Sequence, residues 1–346
     1  MDNHGTCIHP EETRESHPYR RTTPSRGDRQ DLLRRFSSTP FAADLQLMGR
    51  TIRFESNSGS LLRLARTFFQ SHQHGNPSKP EFLWRLMCES DDKSLSTAVP
   101  ISAFSDVRLN YLNIGQRGFL AVDIAEREAV GFFSDTFLSE DARFHHRPPL
   151  DVLFSMTASS LGLVPLSGGC VAADGRGVLV FGAPNSGKTT SCYVAARSGL
   201  EFEADQVVFL DARNPNAWGD PFPAVFRSTS LQYLPELQSQ VHHSTYENAS
   251  FCYFDKSCMQ PQQSRPILPV ASVFLERGTG CQTMLRTISP GDVLSRLRSS
   301  VLFEEDEERE QQIVSSLQWL TEKPAYELRY DSNPRIAADY LQKLVK

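Results

Sequence analysis

The sequence has no apolar run approaching the roughly 20 residues that span a bilayer; stretches such as VLVF at 178–181 are short. No transmembrane helix and no membrane partner are therefore expected. The N-terminal residues lack an apolar core and carry an acid as early as Asp2, which fits neither a secretory signal nor a transit peptide. A cytoplasmic location is the expectation. No CxxC pair occurs, and the seven cysteines, at 7, 88, 170, 192, 252, 258 and 281, are scattered and odd in number. This argues against a disulfide framework and suits reduced thiols. Positive charge is not in excess either, with 36 Lys and Arg against 41 Asp and Glu, a net of −5. That balance gives no polyanion-binding field, so nucleic acid is not an expected partner. Glycine (20) and proline (21) are too few among 346 residues for a collagenous or wholly disordered chain.

What remains is a chain long enough for about two domains of ~150 residues each. Residues 1–40 are polar, with almost no periodic apolar positions, and read as a disordered tail that cannot bury enough surface to offset ordering. Residues 41–145 read as an α+β region. DLQLMGRTIRF (44–54) looks like a strand, SLLRLARTFFQSH (60–72) a helix and EFLWRLMC (81–88) a strand, while residues 110–133 resemble a three-run meander. Residues 146–346 form the second expected domain, entered through a helix in LDVLFSMTASSLGL (150–163). Its later part offers PVASVFLER and QTMLRTIS as paired strands around Gly278 and Gly280. A helix from about Pro290, an acidic helix (EEDEEREQQIVSSLQWL), a strand (AYELRYD) and a final helix opening at Pro334 follow.

Residues 168–211 carry the chemistry. Asp174-Gly175 lies between two β-prone runs, a strong hairpin signal. The second run enters Gly182-Ala183-Pro184-Asn185-Ser186-Gly187-Lys188-Thr189-Thr190, which fills every fixed position of G-x-x-x-x-G-K-[ST] between a strand and a helix. Such a loop wraps a polyanion with backbone N–H groups at a helix N-terminus. The glycines permit close approach. Lys188 would bridge the outer phosphates of a nucleoside triphosphate, and Thr189 would present its hydroxyl to Mg²⁺. Two acids could complete the metal site. Asp211 follows the apolar run VVFL, and Asp205 follows the alternating run Leu200, Phe202, Ala204. A strand returning parallel after the helix would end at Asp205 and carry Asp211 away. Glu203, on that strand, is expected to face solvent.

The hairpin, the loop, the short helix and the acid some seventeen residues beyond Lys188 resemble the HPr kinase/phosphorylase family. That resemblance implies an α/β fold: a P-loop core with a mixed sheet of the type shared with phosphoenolpyruvate carboxykinase, preceded by an α+β region. It implies ATP and Mg²⁺ as cofactors and γ-phosphoryl transfer to a hydroxyl acceptor, a serine on a protein or peptide or a small molecule. It also implies residues 182–190 for nucleotide, Thr189 and Asp205 for metal, and Lys188 and Asp205 for catalysis. Two positions depart from the family. Gln206 stands where its second aspartate falls and cannot act as a general base, and Ser167 stands where many relatives carry histidine; no histidine lies between 147 and 241. A nucleotide-binding regulatory or scaffold protein is the alternative, and homo-oligomerisation stays open. A GTPase is disfavoured, since no NKxD motif follows the loop.

Several residues have weaker claims. Arg227, within an aromatic stretch around Asp220, and Arg277 could each offer a second positive charge to phosphate. The pairs His145-His146 and His242-His243 lack metal-ligand spacing and are expected to be exposed. Asn248 begins a glycosylation pattern without a secretory context.

Overall fold

Alternation of apolar and polar residues at 44–54 does give extended backbone, but as a hairpin rather than one strand. In the computed structural model, β1 (Phe41–Leu47) and β2 (Arg50–Ser56) pair antiparallel. The two residues between them, Met48 and Gly49, both take positive φ, 51° and 73°. That is the backbone of a two-residue hairpin turn of the favoured hand; without Asn or Asp in the first position, the sequence hides it. The structure describes residues 38–69, 79–90, 102–105, 108–115, 118–135, 149–220, 222–246, 249–256, 259, 265–302, 307–331 and 333–346. The expected tail, apart from residues 38–40, lies outside these, as do His145, His146 and Asn248.

Ser58 accepts a hydrogen bond from the Leu61 backbone N–H, capping α1 (Gly59–Phe68). β3 (Phe82–Glu89), β4 (Ser102–Ser105), β5 (Leu109–Asn113), β6 (Gly118–Asp123) and β7 (Glu128–Ser134) complete a seven-stranded sheet ordered β1-β2-β3-β7-β6-β5-β4. The meander expected over 110–133 is β5, β6 and β7. α2 (Pro149–Ala158) packs on this sheet, and Phe154 meets Phe69 and Trp84 edge-on at 6.0 and 6.4 Å. These rings join Phe209 and Phe222 in one apolar cluster that crosses residue 146. Each buried ring of this kind stabilises by about 1.5–3 kcal/mol.

β8 (Leu163–Ser167), β12 (Val207–Asp211) and β13 (Ala217–Gly219) form a small antiparallel sheet, as do β14 (Ala224–Arg227), β15 (His242–Tyr246) and β16 (Ala249–Phe254). The second large sheet runs β11-β9-β10-β17-β19-β18. It comprises β9 (Gly169–Ala173), β10 (Arg176–Phe181), β11 (Glu201–Ala204), β17 (Leu268–Arg277), β18 (Met284–Thr287) and β19 (Ala325–Tyr330). Asp174 and Gly175 take φ of 53° and 75° and close the β9–β10 hairpin as expected. One pairing differs from the expectation: β17 and β18 do not pair, because β19 lies between them, parallel to β17 and antiparallel to β18. The excursion through α4 (Pro290–Arg298) and α5 (Glu307–Thr321) inserts that strand. α3 (Lys188–Arg197) and α6 (Pro334–Val345) share an apolar cluster with β10 and β17.

The architecture is thus mixed α/β, with two large mixed sheets and two small antiparallel ones. No helix among the described residues is long and apolar enough to cross a membrane.

Candidate functional site

The glycine loop leaves β10 at Phe181 and enters α3 at Lys188. Its turns require unusual backbone: φ is 144° at Gly182, 68° at Asn185 and 92° at Gly187. A Cβ on Gly182 would come within 2.6 Å of the Leu275 carbonyl oxygen, and one on Gly187 within 2.2 Å of the Tyr330 hydroxyl. Both positions therefore exclude any side chain. Gly187 is the N-cap of α3, and no side chain caps that end. The first-turn N–H groups, which have no carbonyl partner within the helix, are left for another acceptor.

Three tethers shape the loop. The Tyr330 hydroxyl donates to the Ser186 carbonyl at 2.7 Å from the end of β19. The Ser186 N–H donates to the Ala183 carbonyl at 3.1 Å. Lys188 folds its ammonium back over the loop, donating to the carbonyls of Gly182 at 2.7 Å and Ala183 at 3.2 Å. Burial pulls the Lys188 pKa down from its ordinary value, against a smaller upward pull from nearby groups including Asp205. Ala183, Pro184 and Asn185 form the exposed crest, whereas Ser186 and Thr190 are buried beneath it.

Asp205 stands where the sequence reading puts it. β11 runs parallel to β10 with β9 between them, so the chain after α3 returns its carboxyl end to the loop. The Thr189 hydroxyl donates to Asp205 Oδ2 at 3.3 Å, and the Val225 N–H donates to the same oxygen at 3.0 Å. Asp205 is 2% exposed. Asp211, by contrast, ends β12, takes Arg50 at 2.8 Å and receives the Arg213 N–H of its own turn. It is a structural carboxylate away from the loop.

Sequence reasoning gave no role to the pair that braces Asp205. Asp220 Oδ2 accepts from the backbone N–H of both Asp205 and Val207, each at 3.4 Å. Lys256 donates to Asp220 Oδ1 at 2.7 Å, to the Asp220 carbonyl at 2.9 Å and to the Glu203 carbonyl at 3.2 Å. Its side chain is 3% exposed and that of Asp220 is 1% exposed. Burial alone would depress the Lys256 pKa, but the Asp220 and Asp205 carboxylates outweigh it and raise the value. Partners 36 residues apart give no local sequence signal.

Glu203 corrects the expectation of a solvent-facing residue. It is half-buried, and burial first, then the Glu201 charge, push its pKa to about 7 against the opposing pull of Lys256 and Arg265. The reason is topological, since the chain around Asp220 and Lys256 packs over β11. Arg227 and Arg277 are both exposed, at the ends of β14 and β17, and Arg277 lies over the Tyr233 ring at 5.8 Å. His243 is exposed. Among the described residues, no three His, Cys, Asp or Glu side chains converge as a metal cage. The Thr189 hydroxyl and Asp205 carboxylate are hard oxygen donors, which suits Mg²⁺ held by one carboxylate with water and phosphate completing the shell.

A cavity of about 510 Å³ opens beside the loop, lined by Gly182, Ala183 and Pro184 on one side and by Ser167, Glu276 and Arg296 among others across from them. Ser167 thus borders the same cavity as the loop. Gln206 accepts the Gly168 N–H through its carbonyl at 2.9 Å.

No family profile and no curated protein sequence matches the chain. Among solved structures, the HPr(Ser) kinase/phosphatase from Coxiella burnetii is similar at 10% identity with a TM-score of 0.25, over 52% of this chain and 94% of that one. A likeness so remote transfers no residue role.

Proposed function

We propose that residues 182–190 hold the phosphates of ATP, with Mg²⁺ between Thr189 and Asp205, and that the protein transfers the γ-phosphoryl group to a hydroxyl acceptor. The observation that carries this reading is the meeting of the Thr189 hydroxyl and the buried Asp205 carboxylate, 3.3 Å apart, at the first turn of an uncapped helix. Phosphate would draw the Lys188 ammonium off its loop carbonyls and compete for the free N–H groups of that turn. Mg²⁺, held by Thr189 and Asp205, would supply charge neutralisation to the phosphates. The chain's own residues orient the nucleotide and hold it against the loop, with Asp205 fixed through the Val225 N–H and the Asp220–Lys256 pair. Cytoplasmic location belongs to the same proposal.

Lys188→Ala tests the reading. Hydrogen bonds to a charged group contribute about 1.5–3 kcal/mol, so ATP affinity measured by calorimetry should fall roughly ten- to a hundredfold. Equal affinity in the variant refutes the phosphate assignment.

A second reading has one observation in its favour. Gln206, not a second acid, follows Asp205, and the nearby Asp220 is committed to Lys256. A nucleotide-dependent regulatory protein needs no second acid. Labelled ATP incubated with a cell extract separates the two: an acceptor labelled only when Lys188 is present supports the enzyme, and binding without turnover supports the regulator.

A further inference from the structure

The gap left by Gln206 has a candidate to fill it on a different strand. β17 runs parallel to β10, with Phe181 opposite Phe274. Just beyond that pair the Leu275 carbonyl closes against Gly182, and Glu276 is the next residue of β17. Glu276 is exposed, and it lines the 510 Å³ cavity together with Gly182, Ala183 and Pro184. A volume of several hundred Å³ is that of a small-molecule site.

The carboxylates around the loop differ in what they are free to do. Asp205 takes the Thr189 hydroxyl and the Val225 N–H, and Asp220 takes Lys256. Glu327, the other acid of the cavity, is clamped by Arg286 at 2.7 Å and Arg296 at 2.6 Å. Glu276 forms no ion pair among the described residues, and Arg286 feels its charge only as a minor influence. An unpaired carboxylate beside the loop, facing a cavity of substrate size, is placed to receive a proton from whatever enters.

We infer that this cavity is the acceptor site, that the acceptor is a small hydroxyl compound, and that Glu276 is the general base; the inference rests on ATP binding at residues 182–190. In the step, the acceptor's O–H proton passes to the Glu276 carboxylate while the hydroxyl oxygen forms the new bond to the γ-phosphorus. The bond from that phosphorus to the β–γ bridging oxygen breaks, and its electron pair leaves on the nucleoside diphosphate. Ser167, across the cavity, offers a hydroxyl that can orient the acceptor.

Water serves as the probe acceptor, and ATP hydrolysis is compared for wild type, Glu276→Gln and Glu276→Asp, with ATP affinity measured separately by calorimetry. Glu276→Gln should bind ATP as wild type does and hydrolyse it about a hundredfold or more slowly, with partial recovery in Glu276→Asp. Hydrolysis by Glu276→Gln at the wild-type rate overturns the inference. So does a wild-type protein that binds ATP and never turns it over, an outcome that leaves the binding reading intact. Failure of wild type to bind ATP removes the site reading itself, and this inference with it.

Discussion

In the seven-stranded sheet, ion pairs such as Arg53–Asp44 and Arg108–Asp123 are shared with water, while Arg50 of β2 makes one buried pair, with Asp211. Arg53 meets Asp44 at 3.1 Å with side chains 41% and 34% exposed, and Arg108 meets Asp123 at 3.2 Å with the arginine 62% exposed. Around the six-stranded sheet, Lys256 and Asp220 pair at 3% and 1% exposure, Asp205 lies below the surface beside them, and Glu203 is held near neutrality. Charge placed in water costs little and contributes little. Buried charge must be matched or it destabilises; apart from Arg50–Asp211, three such groups, Asp205, Asp220 and Lys256, gather behind one loop. The contrast teaches that the candidate site is one place where the fold accepts the cost of burying several charges together.

The largest expected effect comes from breaking the buried pair. Lys256→Met strands the Asp220 carboxylate and should cost about 3–5 kcal/mol of stability, read by urea denaturation. A loss under about 1 kcal/mol would make the pair no different from a rim pair. Next comes Glu203, whose pKa of about 7 lies above the ordinary glutamate value of 4.5. The folded state therefore binds the proton more tightly, so its stabilisation is complete below about pH 4.5 and is lost as pH rises through about 7. Glu203→Gln should match wild type near pH 4 and exceed it by ~2 kcal/mol at pH 8; parallel stability curves across that range would contradict the buried-acid reading. Smallest is Arg53→Ala at the rim, expected to cost less than about 1 kcal/mol and to fade with added salt. A larger, salt-insensitive loss would erase the distinction between the sheets.

The loop, its flanking strand and helix, and the Asp174-Gly175 turn were legible because each is specified within a few adjacent residues. Asp205 was legible through one further step, the return of the chain after α3. The misreadings share a cause. β17 and β18 look like a hairpin locally, yet β19, which begins at Ala325, well beyond β18 in the chain, fills the space between them. Glu203 reads as exposed until the chain around Asp220 and Lys256 is folded over β11, and Lys256 itself carries no sequence signal. Tyr330 carries no motif at all; its hydroxyl matters only because β19 ends beside Ser186. Pairing across long separations is set by packing, and no window of sequence contains it.

That last contact bears on synthesis. Tyr330 grips the loop from 144 positions downstream, so a nascent chain that has already emitted the two glycines and the following helix must wait for its brace. At about 5–20 residues per second, the delay is on the order of ten seconds. During translation the loop spends that interval without its tyrosine latch, its final curvature yet to be imposed.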